Sequence, residues 1–169
     1  MNPNFKVSKN FSPILNRTRI WLPSCIKNLK TLAMRFRTLT GALKRLSKPH
    51  KYKIQWAGPS RSKMQKEVKT LLKPHWYSHV VFEEFPVAGT KMTLDFYNAN
   101  KKVAIEVQGR QHTKYIPHFH GKNKANFLSQ KRRDIQKKEF CRLNKIRLIE
   151  IFPEDNLTEK FITGVISIE

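Results

Sequence analysis

Asp95 and Glu106 are the residues of this chain whose type and position best suit chemistry. Each carboxylate lies in the middle of an apolar, strand-like segment, in a chain with 12 acidic residues in total. A carboxylate inside a buried strand is costly unless it is paired or binds a metal. If the two strands are neighbours in a hairpin, both side chains can point to the same face. With the carbonyl oxygen of Val107 they would form a hard-oxygen site for Mg²⁺, with Mn²⁺ as a substitute, suited to phosphodiester hydrolysis.

The same two carboxylates also have a plain structural interpretation. Each can be a strand residue on a solvated face, paired with one of the 34 lysines and arginines of the chain. That interpretation suits one isolated carboxylate. Two carboxylates in successive apolar strands favour the metal site instead.

The segments around these carboxylates predict an α/β fold. Residues 62–72 have helical spacing, Ser62 is suited to the N-cap, and Lys73-Pro74 predicts the end of the helix. Strands are expected over 79–85, 92–97, 102–108 and 146–152, and further helices over 126–143 and 157–165. The last two strands are joined through a helix, so they should be parallel. We therefore expect a small mixed sheet of about four strands flanked by helices.

The charge of the chain is strongly positive and unevenly distributed. The 34 lysines and arginines and the 12 aspartates and glutamates give a net charge of +22, and the first acidic residue is Glu67. This excess predicts a polyanionic partner, with nucleic acid ahead of an anionic membrane surface. No apolar run approaches the ~18 residues of a membrane span. Two cysteines are too few for a disulfide-stabilised secreted scaffold. We place a boundary near residue 60, between a basic N-terminal arm (1–60) and a domain over 61–169.

The arm contains an apolar pattern of its own. Its apolar residues between 32 and 46 follow three- and four-residue steps, which predicts a DNA-binding helix or extension. The cations expected to contact DNA there are Arg35, Arg37, Lys44 and Arg45. A disordered basic tail and an organelle-targeting presequence remain as alternatives.

The order of elements and the residues within them resemble the PD-(D/E)XK nuclease superfamily, within it the branch of very-short-patch-repair-like and phage-type small endonucleases. The likeness lies in Leu94-Asp95-Phe96, in the string Ile-Glu-Val-Gln-Gly-Arg-Gln-His over 105–112, and in the helix and strand over 132–151. It covers about residues 62–165. The resemblance implies a restriction-endonuclease-like core and a Mg²⁺-dependent endodeoxyribonuclease that leaves 5′-phosphate ends.

By this resemblance Asp95 and Glu106 are the metal ligands, and Glu67 matches a helix-borne glutamate that reaches the metal through water. Gln108 stands where the superfamily usually has a lysine that steadies the nucleophile and the developing negative charge. A glutamine can orient water but brings no charge. Three cations are candidates to supply that charge instead: Lys101, Arg110 and Lys137.

The segment after the third strand is expected to complete the site. His112 follows a glycine turn at the strand end, where it could act as a general acid or base near neutral pH. The basic residues of this segment, expected to contact DNA as a loop, are Arg110, Lys114, Lys122 and Lys124.

The main functional alternative is a non-catalytic nucleic-acid-binding protein on a decayed nuclease fold, which the glutamine at position 108 favours. A basic RNA-binding protein is a third hypothesis. We expect DNA as the partner, no membrane association and no small-molecule cofactor, with homodimer formation left open. The expected location is cytoplasmic and DNA-associated, in a bacterial or phage-infected cell, unless the N-terminal segment targets an organelle.

Overall fold

The structure, a computed structural model, describes residues 34–109 and 124–167. The order of elements in these ranges is mixed α/β. The strands are β1 (Met34–Arg37), β2 (Leu43–Leu46), β3 (Val81–Pro86), β4 (Thr93–Asn98), β5 (Val103–Val107) and β6 (Arg147–Ile151). The helices are a 3₁₀ turn (Pro49–Tyr52), α1 (Lys63–Trp76), α2 (Lys124–Leu143) and α3 (Glu159–Ser167).

A four-stranded mixed sheet in the order β3-β4-β5-β6 forms the centre of the fold. The pairs β3–β4 and β4–β5 are antiparallel, and β5–β6 is parallel. The predicted small mixed sheet flanked by helices is therefore confirmed, including the parallel pairing across α2. From residue 62 onward, the predicted strand and helix positions agree with the observed ones to within a few residues.

Each face of the sheet carries its own apolar cluster, because successive strand side chains point to opposite faces. On one face, residues such as Val81, Phe96 and Ile105 pack against α1 and α3, which contribute Leu72 and Ile162. On the other face, the side chains of Phe82, Tyr97 and Ala104 pack against Phe140 and Cys141 of α2 and against the β1–β2 hairpin. The sheet is thus enclosed between α1 with α3 on one face and α2 with the β1–β2 hairpin on the other, and its functional side chains must emerge near the strand ends.

The predicted N-terminal helix is wrong, since residues 34–46 form the antiparallel β1–β2 hairpin. The three- and four-residue steps coincided with a second, two-residue alternation in Met-Arg-Phe-Arg, and that alternation matches the observed strand. Gly41 takes a left-handed φ of 86° in the turn, a conformation that glycine adopts without steric cost.

Part of the predicted arm belongs to the folded body. Phe36 is 6% exposed and packs edge-on against Phe85, with ring centroids 5.4 Å apart. The backbone N–H of Ile54 donates to the carbonyl of Val81 on the outer edge of β3. Residues 34–60 therefore contact the core directly, which corrects the boundary at residue 60 that placed them outside it.

Helix α1 begins as predicted and continues past its predicted end. Ser62 accepts a hydrogen bond from the N–H of Gln65, and the Gln65 side chain accepts one from the Ser62 N–H, which is a capping box. The helix passes through Pro74 to Trp76, which is 3% exposed. Burial of the indole holds the last turn in place although proline removes one backbone donor. In the described part of the chain, no helix combines the length and the apolar character that crossing a bilayer requires.

Candidate active site

Asp95 and Glu106 lie where β4 and β5 separate, at a point that we call the β4–β5 fork. The backbone pairing of these strands runs from Asn98–Val103 to Phe96–Ile105, so one further step of the same register would set Asp95 opposite Glu106. At this step, carboxylate oxygens take the place of backbone carbonyls as hydrogen-bond acceptors. The N–H of Val107 donates to Asp95 Oδ2 at 2.8 Å, and the N–H of Asp95 donates to Glu106 Oε1 at 3.3 Å. These reciprocal bonds fix both carboxylates at one point of the sheet.

Lys137 of α2 supplies the positive charge at this point. Its Nζ lies 2.6 Å from Glu106 Oε2, and its side chain is 18% exposed. Burial and the neighbouring Asp95 raise the pKa of Glu106 to about 8, while the ion pair with Lys137 opposes the rise. Burial also raises the pKa of Asp95, against the lowering effect of the Val107 N–H. Among the described residues one ammonium faces these two carboxylates, so the pair holds more negative charge than these neighbours stabilise.

Helix α1 contributes a side chain to the pair, but Gln65 occupies the place expected for Glu67. The Gln65 side chain is 8% exposed and hydrogen bonds to the Asp95 carboxylate, which lowers its pKa. Glu67 is exposed and lies in a separate groove that also contains Lys63 and Asp155. The structure therefore brings Gln65 to the site and leaves Glu67 outside it.

Gln108 lies beside the site and its amide is already engaged. The side chain is 4% exposed, and Nε2 donates to Glu150 Oε1 at 3.0 Å. Glu150 is the parallel partner of Glu106 in β6 and forms an ion pair with Lys138 at 2.6 Å. The glutamine thus ties β5 to a neighbouring carboxylate in β6.

Strand β3 approaches the pair from the other side. Glu84, at a left-handed φ of 53°, repels Asp95 and thereby raises its pKa. Its carboxylate accepts from the hydroxyl of Thr93 at 2.7 Å and pairs with Arg61 at 2.9 Å. A groove of about 360 Å³ extends from Lys137 along α2. The residues that line it are Arg61, Lys91, Met92, Thr93, Gln130, Arg133, Asp134 and Lys137.

The remaining residues that were predicted to contact DNA or to complete the site lie in different parts of the chain. Arg35, Arg37, Lys44 and Arg45 are exposed on the β1–β2 hairpin. Lys101 lies in a groove with His75, His79 and Ser167. Arg110, His112, Lys114 and Lys122 lie outside the described residues, as does the side chain of Lys124, so their roles stay predictions.

The donor set at the fork fits a hard divalent cation. Asp95 and Glu106 present carboxylate oxygens, which Mg²⁺ prefers, and their mutual repulsion is the kind of charge excess that such a cation relieves. The backbone of Val107 lies at the same point, with its N–H held by Asp95. No group of three or more histidine, cysteine, aspartate or glutamate side chains suited to a metal occurs within 34–109 and 124–167. A metal here would therefore rest on two carboxylates together with backbone oxygen and water.

Comparisons with known proteins point to viral relatives. The chain is 43% identical over 60 residues, 36% of its length, to uncharacterized protein 307L of Invertebrate iridescent virus 6, and the match covers 30% of that protein. It is 39% identical over 66 residues, 39% of its length, to uncharacterized protein 094L of Frog virus 3 (isolate Goorha), with 43% of that protein covered. The chain thus spans less than half the length of these curated relatives. No protein-family model matches the chain. No solved structure matches it significantly.

Proposed function

We propose that this chain is a divalent-metal-dependent DNA endonuclease with a restriction-endonuclease-like core of the PD-(D/E)XK type. The observation that carries the proposal is the convergence of Asp95 and Glu106 at the β4–β5 fork, with Lys137 in direct contact. The net charge of +22 supports a polyanionic substrate. Asp95 and Glu106 would hold Mg²⁺ or Mn²⁺. When bound, such a cation polarises the scissile phosphate and activates a water molecule.

We propose that Lys137 supplies the positive charge that a lysine at the position of Gln108 usually supplies in the PD-(D/E)XK superfamily. Its ammonium lies at the carboxylate pair, partly buried, and comes from a helix rather than from β5. A fixed cation at this point would stabilise the negative charge that develops on the phosphate oxygens. Gln108, bound to Glu150, would act by holding β5 in place. The proposed chemistry therefore does not need a lysine two residues after Glu106.

The proposed site has a pH requirement of its own. With a pKa of about 8, Glu106 carries a proton for most of the time at neutral pH in the metal-free protein. It binds a cation only as the carboxylate, so metal binding must release this proton. Affinity for Mg²⁺ should therefore rise with pH through about 8 and then level off.

The experiment is nicking of supercoiled plasmid DNA with Mg²⁺, with Mn²⁺ or with EDTA. We expect Asp95→Asn, Glu106→Gln and Lys137→Gln each to lower the metal-dependent rate by roughly 100-fold or more. The matched control is Arg142→Gln, which removes a charge from the same helix at an exposed surface pair with Glu139. Cleavage that persists in both carboxylate variants would refute the proposal. A panel of linear, mismatched and four-way DNA, with RNA alongside, then identifies the substrate.

A non-catalytic nucleic-acid-binding protein is the second candidate, and one observation favours it. The Lys137 ammonium lies 2.6 Å from Glu106 Oε2, as in a purely structural ion pair. This alternative expects tight, salt-sensitive DNA binding with no turnover in either metal. It also expects Mg²⁺ to leave the stability of the protein unchanged, whereas the nuclease proposal expects stabilisation through Asp95 and Glu106.

A further inference from the structure

The outward face of the β1–β2 hairpin is a concentrated patch of unpaired positive charge. Arg35 and Arg45 are direct cross-strand partners, and Arg37 is the partner of Leu43. All three arginines are exposed, and Leu43 is 68% exposed. Like charges directly opposite each other destabilise an antiparallel pair. No ion pair joins any of these arginines to a carboxylate of the described residues.

The hairpin is attached to the rest of the fold at two points, although like charges face each other on its outer side. The Asn144 side chain binds both backbone groups of Arg37: Oδ1 accepts from the N–H at 2.7 Å, and Nδ2 donates to the carbonyl at 2.9 Å. On the inner face, the Phe36 ring packs against Phe140 with centroids 5.8 Å apart. Both tethers come from the C-terminal end of α2 or the residue after it. These contacts therefore position the patch relative to α2.

The same helix connects this patch to the carboxylate pair. Lys137 contacts Glu106, and Asn144 follows seven residues later. Seven residues correspond to about 10 Å along a helix axis. The attachment of the hairpin and the Lys137 contact with Glu106 therefore lie about two helical turns apart on α2.

We infer that the β1–β2 hairpin is a DNA-binding ribbon that enters the major groove of a B-form duplex, with Arg35, Arg37 and Arg45 facing the DNA. The B-form major groove admits a two-stranded ribbon, whereas that of an RNA duplex is deep and too narrow for side chains to read. The three guanidinium groups suit phosphates and guanine edges, and Leu43 suits a thymine methyl group. The inference rests on the proposed function in taking DNA as the polyanion, and it names duplex DNA as the form recognised.

The test measures binding by fluorescence anisotropy with the full chain carrying Asp95→Asn, in EDTA. A labelled DNA duplex, an RNA duplex of the same sequence and single-stranded DNA serve as probes. Because no cleavage is needed, a failure of the nuclease proposal does not affect this readout, and a failure here does not affect the nicking assay. The hairpin variant is Arg35→Gln with Arg45→Gln. The control is Lys73→Gln with Lys160→Gln, which removes the same charge from exposed positions on α1 and α3.

We expect the hairpin variant to lose two phosphate contacts. The slope of log affinity against log salt should then fall by about 1.8, which corresponds to about 60-fold weaker binding near 0.1 M salt. The control variant should change by less than about 3-fold. Methyl green, which occupies the major groove, should displace the protein, whereas the minor-groove ligand netropsin should not. Circular dichroism and thermal unfolding verify that each variant is folded.

Three outcomes would overturn the inference. One is equal loss of binding in the hairpin and control variants, which would indicate general electrostatics. Another is an RNA duplex or single-stranded DNA bound as tightly as duplex DNA. The third is displacement by netropsin alone. If the hairpin variant is unfolded, a variant with Arg35→Lys and Arg45→Lys replaces it, because these substitutions keep the charge. A loss of preference among duplex sequences with little loss of affinity would then support guanidinium contacts to base edges.

Discussion

Replacement of Asp95 by asparagine should stabilise the metal-free protein at high pH. Glu106 has a pKa near 8 in the folded protein, compared with an ordinary value of 4.5, because it is buried and faces Asp95. Between these two values the folded state keeps a proton that the unfolded state has released. Stability therefore falls as pH rises through this window, and it is not affected below pH 4.5. The neutral side chain of Asp95→Asn removes the repulsion between the two carboxylates while an amide oxygen can still accept from the Val107 N–H.

The size of the effect follows from the width of that window. A rise from 4.5 to about 8 corresponds to roughly 5 kcal/mol of destabilisation once pH exceeds 8. Burial is the largest cause of the shift, and the charge of Asp95 is the second. Removing that charge should therefore restore less than half of the lost stability. We expect Asp95→Asn to raise the free energy of unfolding by about 2 kcal/mol near pH 9 and to change it little near pH 4.

The assay is urea unfolding of both proteins in EDTA across this pH range. Glu67→Gln is the control, because it removes an exposed carboxylate away from the pair. Added Mg²⁺ at ten times its Kd should stabilise the wild type near pH 8 by about 1.4 kcal/mol and leave Asp95→Asn unchanged. If Asp95→Asn is destabilised by the same amount at every pH, the carboxylate acts only as a hydrogen-bond acceptor and the reasoning about charge is refuted.

Three further predictions concern the framework of the site, each measured as the free energy of unfolding in urea. Lys69→Met should cost roughly 3–5 kcal/mol, because the buried ammonium pairs with Glu83 at 2.6 Å, whereas exposed Lys66→Met should cost under about 1 kcal/mol. Phe36→Ala should cost about 3–5 kcal/mol through loss of the contact between hairpin and core, with Phe36→Leu costing clearly less. Ser62→Ala should cost about 1 kcal/mol by removing the N-cap of α1, and equal stability of variant and wild type would show that the cap contributes nothing.

Much of the sheet could be predicted because its strands are short, apolar and bounded by turn residues. The segments around Asp95 and Glu106 alternate in a way that fits a strand, and both strands occur close to where they were expected. The hairpin over 34–46 was missed because its apolar residues satisfy a helical period and a strand period at once. Tertiary contact accounts for the strand, since Phe36 of β1 is buried in the core in the observed arrangement.

The side chains around the carboxylates were harder to predict because they come from separate elements. Gln65 and Glu67 are two residues apart on α1, so they point about 200° apart around the helix axis, and only the packing of that helix determines which one faces the sheet. Lys137 was one of three candidate cations, and the rotational phase of α2 brings its ammonium to Glu106. The position of Glu84 beside Asp95 depends on a left-handed backbone conformation that a glutamate gives no reason to expect.

At the β4–β5 fork a backbone N–H donates to a side-chain carboxylate rather than to a backbone carbonyl, and this makes the site observable by nuclear magnetic resonance. The Val107 amide proton is held by a carboxylate oxygen of Asp95 instead of a neighbouring strand's carbonyl. An amide proton in such a bond is sensitive to the charge of its acceptor. A single backbone resonance therefore follows the charge of the Asp95 carboxylate, and can be recorded without substrate, turnover or any substitution.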